Sequence, residues 1–428
     1  MKKFNIFLLP LLLTVLLLFL GSASTAYAHA GLITTDPGQG NVVASAPKQL
    51  SLTFSEALEP GLVTLKLYDR NGERIDLPKP KLTPGKPEQM NVALPDLEEG
   101  SYTVVWSIVA EDGHPSTESY TFSVGVATNV FPPSDQRTEA EKKALDVLMI
   151  LLRYGVEGLI LISTGFYCMT LFATRIELPG TRALLGRKTR IVWALLLLGT
   201  IAEWFAYAAR LPDLSLTASL FDGSYDLVLQ SRFAVMVLTQ LGLLLLLTLP
   251  SMMPVWHALV WLALVFNFAL GGHAWGVTPL SAAFTSRILH LLSIAAWMGG
   301  LVYLLLTMLY GRADAAKLNR NKFRRFFLGV VITSTILVVI TGIWMGLLQI
   351  GVHLLLQVAP FWNQLLYLKV GLLAIMLVLA LFQTMRWQRE QGSLSYNLLR
   401  FELLIGVLIV QLGIWMSQIP YPIPYPIP

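Results

Sequence analysis

Two of the six histidines, His29 and His114, lie in the part of the chain with an ordinary soluble composition, and their surroundings suit metal binding. His114 sits in the segment Glu111-Asp112-Gly113-His114-Pro115, whose Asp and Gly favour a tight turn. His29 follows Ala26-Tyr27-Ala28, a small-x-small site that ends a stretch with Lys2 and Lys3 and an apolar run from Phe4 to Leu20. That is the pattern of a secretory signal, residues 1–28, removed after Ala28. Cleavage there leaves His29 as the first residue, with a free amine beside its imidazole. The amine, two imidazoles and the Asp112 carboxylate supply three nitrogens and one oxygen, a tetragonal set that suits Cu(II). The amine, with an ordinary pKa of about 7.7–8.0, must lose its proton to bind, so affinity is expected to fall as pH drops. Met90 is the sole methionine between 29 and 125, which leaves no thioether site for Cu(I) in this segment.

The elements that must position these donors are short strands. Residues 49–124 alternate apolar and polar positions, as in Leu50, Leu52, Phe54 and in Tyr102, Val104, Trp106. Breaks fall at Asn71-Gly72, Pro84-Gly85 and Glu99-Gly100. Period two with such punctuation predicts antiparallel strands around one core, an all-β sandwich or barrel over 29–125. This segment holds seven Lys/Arg against thirteen Asp/Glu, although the whole chain is +5. The basic excess therefore lies elsewhere and orients the chain in a membrane; it is no nucleic-acid footprint.

Of the 428 residues 55% are hydrophobic and only 13% charged, against roughly a quarter charged in soluble proteins. A polar, Pro-bearing stretch, 126–145, reads as a linker. Eight apolar runs follow, at about 146–172, 191–209, 232–249, 255–272, 286–310, 327–350, 365–385 and 398–417, and predict an all-α bundle of eight transmembrane helices over 146–417. A Pro-rich tail, 418–428, closes the chain. Lys and Arg in alternate connections number fourteen against three, which by the positive-inside rule places the β domain and the C-terminus outside a cytoplasmic membrane. Cys168 is the single cysteine, so disulfide frameworks, CxxC pairs and cysteine zinc sites are excluded.

With that orientation His273, His290 and His353 lie near the outer side and His257 near the inner. His290 and Met298 share a helical face about 12 Å apart along the axis, so a nitrogen donor is followed by a softer sulfur. Met345 and Met416 lie at similar outer depths. Arg153 with Glu157, Glu203, Lys369 and Glu402 are ionisable groups within spans, where they mark interior faces or pathways unless, as Lys369 and Glu402 can, they reach an interface. The candidate path residues are His273, His290, Met298, His353, Met345, Met416, Glu157 and Glu203.

Two resemblances extend this reading. Residues 29–125 resemble the CopC-type copper-binding domain in their mature His-Ala start, Asp36-Pro37-Gly38, the strand end Leu52-Thr53-Phe54-Ser55-Glu56 and the Asp-Gly-His turn. By that family's pattern the Cu(II) ligands are His29, Asp112 and His114. Residues 146–417 resemble the CopD-type membrane domain in Gly272-His273-Ala274, His290-Leu291-Leu292, Ala296-Trp297-Met298-Gly299-Gly300-Leu301, Thr341-Gly342, Tyr367-Leu368-Lys369, and Glu402 with Gly406. The fusion of the two is similar to the Gram-positive copper-acquisition arrangement. It implies Cu(II) capture outside and delivery to a membrane domain for import, with Cu(I) as a second form inside the bilayer. Buffering or sensing without net import, and export for resistance, use the same ligands and stay open. Expected partners are the copper ion, the lipid bilayer, and a second extracytoplasmic copper-binding protein or a reductase.

No ATP-binding P-loop is present, so movement is passive or gradient-coupled. An oxygen-activating copper enzyme is disfavoured because Asp112 fills a position that oxygen would need. One extra residue ahead of His29 is expected to weaken Cu(II) binding by orders of magnitude in competition titrations; unchanged affinity would mean that the ligands are misassigned.

Overall fold

The computed structural model describes residues 31–111, 113–130, 138–249, 253–277, 279–313, 320–357, 360–389 and 395–419. The signal segment, His29, Asp112, part of the expected linker and nearly all of the Pro-rich tail lie outside the described residues.

Nine strands build the N-terminal part: β1 (Leu32–Asp36), β2 (Val42–Val43), β3 (Gln49–Phe54), β4 (Leu58–Tyr68), β5 (Arg74–Ile75), β6 (Lys81–Thr83), β7 (Lys86–Ala93), β8 (Gly100–Ala110) and β9 (Pro115–Val124). They form two sheets, ordered β1-β3-β7-β6 and β2-β9-β8-β4-β5, antiparallel throughout except for β2 against β9. The alternating residues meet between the sheets, where Leu50, Leu52, Met90, Val104 and Ile108 are fully covered. Phe54 packs edge-on against Trp106, with ring centroids 5.0 Å apart, a favoured aromatic geometry. A sandwich, of the two architectures that the pattern allowed, is what forms.

β8 is buried along its whole length, which one sandwich core cannot explain because alternate side chains point to opposite faces. Val109 at its end, with Leu62 on β4, packs into the core of the helical part instead. At this end the outer face of the second sheet is thus covered by the helical part.

The helical part comprises α1 (Glu139–Thr174), α2 (Thr181–Leu185), α3 (Lys188–Arg210), α4 (Leu216–Phe221), α5 (Asp226–Gln230), α6 (Arg232–Leu246), α7 (Pro254–Ala269), α8 (Leu280–Ala313), α9 (Arg320–Leu355), α10 (Phe361–Arg389) and α11 (Tyr396–Met416). α1 begins seven residues before its apolar run because Thr138 and Glu141 form a reciprocal capping box, which satisfies backbone N–H groups at the helix start. α1 and α8 cross in contact at Gly165 and Gly299, where a Cβ on either would collide with the other backbone.

Five helices among the described residues, α3, α8, α9, α10 and α11, are long and apolar enough to cross a membrane, where the sequence predicted eight spans. Part of the difference is length. α6 and α7 have 15 and 16 residues, about 22–24 Å of rise against a hydrocarbon core of about 30 Å. α1 has 36 residues, with Asp146, Arg153 and Glu157 ahead of an uncharged stretch from Gly158 to Thr174. The connection 210–232 contains α4 and α5. Large apolar side chains such as Leu198, Ile343 and Val378 stand exposed on α3, α9 and α10, an outer surface suited to lipid.

Replacing Trp106 by Ala should cost the sandwich about 3–5 kcal/mol. Faster hydrogen exchange at the β3 and β8 amides, with the helices unaffected, is the expected outcome.

Candidate metal centre

The β8–β9 turn is held tightly. The Gly113 N–H donates to Ala110 O (2.8 Å), the Ala110 N–H to His114 O (3.0 Å) and the Glu111 N–H to Ala57 O (2.7 Å). Gly113 adopts φ +87°, and a Cβ there would lie 3.4 Å from Phe233 Cβ. Glycine is therefore needed for the backbone conformation, while a Cβ would make only ordinary contact with α6. His114, a turn histidine that composition would leave in solvent, is only 8% exposed.

What covers it is the end of the helical bundle. His114 borders a cavity of about 20 Å³ whose other walls include Met149 and Arg153 of α1, Phe233 of α6, Gly271 and Gly272. That is room for roughly one water or one ion. Arg232 clamps the turn. Its guanidinium donates to Glu111 O (2.6 Å) and to Glu111 Oε1 (2.6 Å), and its backbone N–H donates to Glu59 Oε1 (3.2 Å). The same guanidinium lies 4.0 Å over the Trp275 ring, a cation–π contact. Lys66 pairs with Asp213 at 2.8 Å beside this joint.

Of the predicted donor set the described residues include His114 alone; His29 and Asp112 lie outside them. Among the described residues no group of three His, Cys, Asp or Glu side chains is arranged to hold a metal. In the bundle, the backbone of His273 lies in the 3-10 turn Gly272–Gly276 that follows the cavity wall. A Cβ on Gly272 would sit 3.1 Å from Arg287 Nη1, one turn before His290 on α8. His290 is buried, with Nδ1 2.9 Å from Thr341 Oγ1 on α9. Thr341 has one hydroxyl proton and directs it to Leu337 O at 2.5 Å. The imidazole must then donate from Nδ1, which leaves the Nε2 lone pair for a metal. Met298 is fully buried on the same helix.

The remaining predicted residues scatter. His353 is exposed beyond a break at Gly351 (φ 70°, ψ 170°), and Met345 is half-buried. Met416 is buried at the end of α11, its carbonyl accepting from Trp362 Nε1 (3.2 Å). Glu157 pairs with Arg153, 2.6 Å between Arg153 Nη2 and Glu157 Oε1. Glu203, 2% exposed, lies 3.4 Å from Gln240 Nε2, which also donates to Thr200 Oγ1 at 2.6 Å. Glu402, which was free to reach an interface by sequence, is instead buried at 3% exposure.

Sequence reasoning missed Arg232, Glu111, Glu59 and Trp275. A signal did exist: Arg210, Arg232 and Arg287 are the three cations in the connections otherwise poor in them. Arg210 and Arg232 hold acidic groups at this joint, Asp146 at 2.9 Å and Glu111, and Arg287 approaches Gly272.

Residues 32–125 match the CopC domain family. Over 114 residues the chain is 36% identical to Copper resistance protein C of Escherichia coli, covering 25% of this chain and 90% of that protein. The chain belongs to the CopC family through this domain. Protein YobA of Escherichia coli (strain K12) is 37% identical over 101 residues, 23% of this chain and 82% of that protein. Copper transport protein CutJ of Bacillus subtilis (strain 168) is 26% identical over 97% of this chain and 78% of its own length. That similarity runs through the CopC domain and the helical part together, so the fusion itself is shared.

Changing Arg232 to Ala should loosen the CopC domain from the helix ends. Hydrogen exchange at residues 110–114 and at the start of α6 should rise, while the β3–β7 sheet stays protected.

Proposed function

We propose that the chain is a copper importer of the cytoplasmic membrane, with residues 1–28 as signal peptide, 29–125 as the capture domain, 126–145 as a linker that runs into α1, and 146–417 as the conducting part. In this reading eight helices, α1, α3 and α6–α11, lie in the bilayer, with α6 and α7 reaching across it only partway as regular helix. The fourteen-to-three asymmetry of cations supports an outside CopC domain. His29, with its amine, Asp112 and His114 take Cu(II). Once a separate extracytoplasmic reductase has supplied one electron, the ion passes as Cu(I) to His273 and His290, then to Met298. Glu157 and Glu203 provide carboxylates within the bundle.

The observation that carries the reading is the docking of the Glu111–His114 turn on the cavity edged by Gly272, next to His273. A donor held there shortens the transfer and raises the local ion concentration at the mouth. The name of the relative from Bacillus subtilis supports copper transport, and that of the Escherichia coli relative supports a role in copper resistance. Direction is therefore what the experiment must read.

In cells lacking the protein, radiocopper influx should be restored by the wild type. It should fall at least tenfold in His273→Ala and His290→Ala, with Cu(II) binding by the CopC domain intact. A protein that only buffers copper would be indifferent to both changes, and an exporter would lower accumulation.

A further inference from the structure

α10 and α11 pack antiparallel, and three residues at heptad spacing on α10, Lys369, Met376 and Gln383, meet α11 in order. A Cβ on Gly413 would lie 3.1 Å from Lys369 Nζ. One on Gly406 would lie 3.7 Å from Met376 Cε and only 2.7 Å from Met298 Sδ, which arrives from α8. Gln383 hydrogen-bonds the Glu402 carboxylate one turn from Gly406. The absent side chain at Gly406 is therefore the space in which two thioether ends converge. Met298 is 0% and Met376 2% exposed.

Ordinary core filling accounts for a single buried methionine. It does not account for the neighbouring pair of oxygens. Glu402 Oε1 and Gln383 Oε1 are both buried without a hydrogen-bond partner among the described residues, in a bundle where such oxygens are costly. Along the seam of α8, α10 and α11 the chain thus offers a nitrogen at His290, two sulfurs at mid-bundle, and buried acceptor oxygens beyond them. Thioethers are soft donors that select Cu(I), while carboxylate and amide oxygens are hard and bind it weakly. The order therefore holds the ion at the sulfurs and favours release past them.

We propose that Met298 and Met376 form a two-thioether Cu(I) site over Gly406, and that Glu402 and Gln383 form the exit from it. The proposal rests on the reading of the chain as a copper transporter and deepens it by adding Met376, Gln383 and Glu402 to the route. The site takes copper already in the +1 state, so no electron changes hands within it.

The full-length protein in detergent, loaded with Cu(I) under anaerobic reducing conditions, is examined by copper X-ray absorption, because the CopC-domain donors are nitrogen and oxygen and a sulfur shell reports the bundle site. Sulfur scattering is expected in the wild type and should vanish in the double variant Met298→Leu with Met376→Leu, a swap that conserves volume and fold. Gly406→Ala keeps both sulfurs but pushes Met298 aside, and should lower the sulfur signal and radiocopper flux in proteoliposomes together. A wild type without sulfur scattering, a double variant that retains it, or a Gly406→Ala protein with an unchanged signal each overturns the site. If the sulfur signal behaves as expected while no copper crosses the vesicle wall, the transport reading fails and the site stands.

Discussion

A strand covered on both faces needs a partner on each, and β8 finds its second partner in the helical part. Val109 and Leu62 enter the helical core, and Arg232 bonds the backbone and the carboxylate of Glu111 at the end of the same strand. This joint sets the position of the β8–β9 turn relative to the bundle. Without it the CopC domain would hang on a linker, and His114 would sample a large volume. With it, the turn is held against Phe233 and faces Gly272. The clamp combines a charge-assisted double hydrogen bond with a ring contact, and the apolar pair beside it contributes the non-directional part of the binding. Geometry comes from the first and adhesion from the second.

Beneath the joint the bundle carries charges that lipid would not tolerate. Arg153 and Glu157 neutralise each other one turn apart. Glu203 is placed beside Gln240 and Thr200, which turn a carboxylate otherwise surrounded by apolar side chains into part of a polar cluster. Breaking one partner of a buried ion pair leaves an uncompensated group at a cost of about 3–5 kcal/mol; the Gln240 bonds join α6 to α3, and Arg210 with Asp146 joins α3 to α1. The helices farther from the joint, α9 and α10, show lipid-suited outer faces and contribute inward residues chiefly along their seams with α8 and α11.

Much of the fold could be read along the chain. Alternation located β3, β4, β7, β8 and β9; Gly72 and Gly85 lie in turns between strands and Gly100 opens β8, all with positive φ. Long apolar runs located the helices. The misreadings share one physical cause: hydropathy records composition and not where the helical backbone starts and stops. α6 ends at Leu246 and α7 at Ala269, each three residues before its apolar run does, α7 starts at Pro254, where a proline suits a helix start, and α1 starts early because Thr138 caps it. Candidate donor types were legible, namely imidazoles, a carboxylate and thioethers. Their grouping was not: His353 is exposed and Met345 only half-buried, while Met376 and Gln383 carried no local signal.

By itself the sequence determined the period of each element, the apolar face that each would bury and the kinds of donor available, because these follow from local backbone geometry and side-chain chemistry. The tertiary structure alone decided which faces meet. That Arg232 reaches Glu111 across more than a hundred residues, that Thr341 selects the tautomer of His290, and that Met298 and Met376 share the space over Gly406 are contacts between distant segments. A helical or strand repeat names a face but never its partner, which only the packing of the whole chain selects.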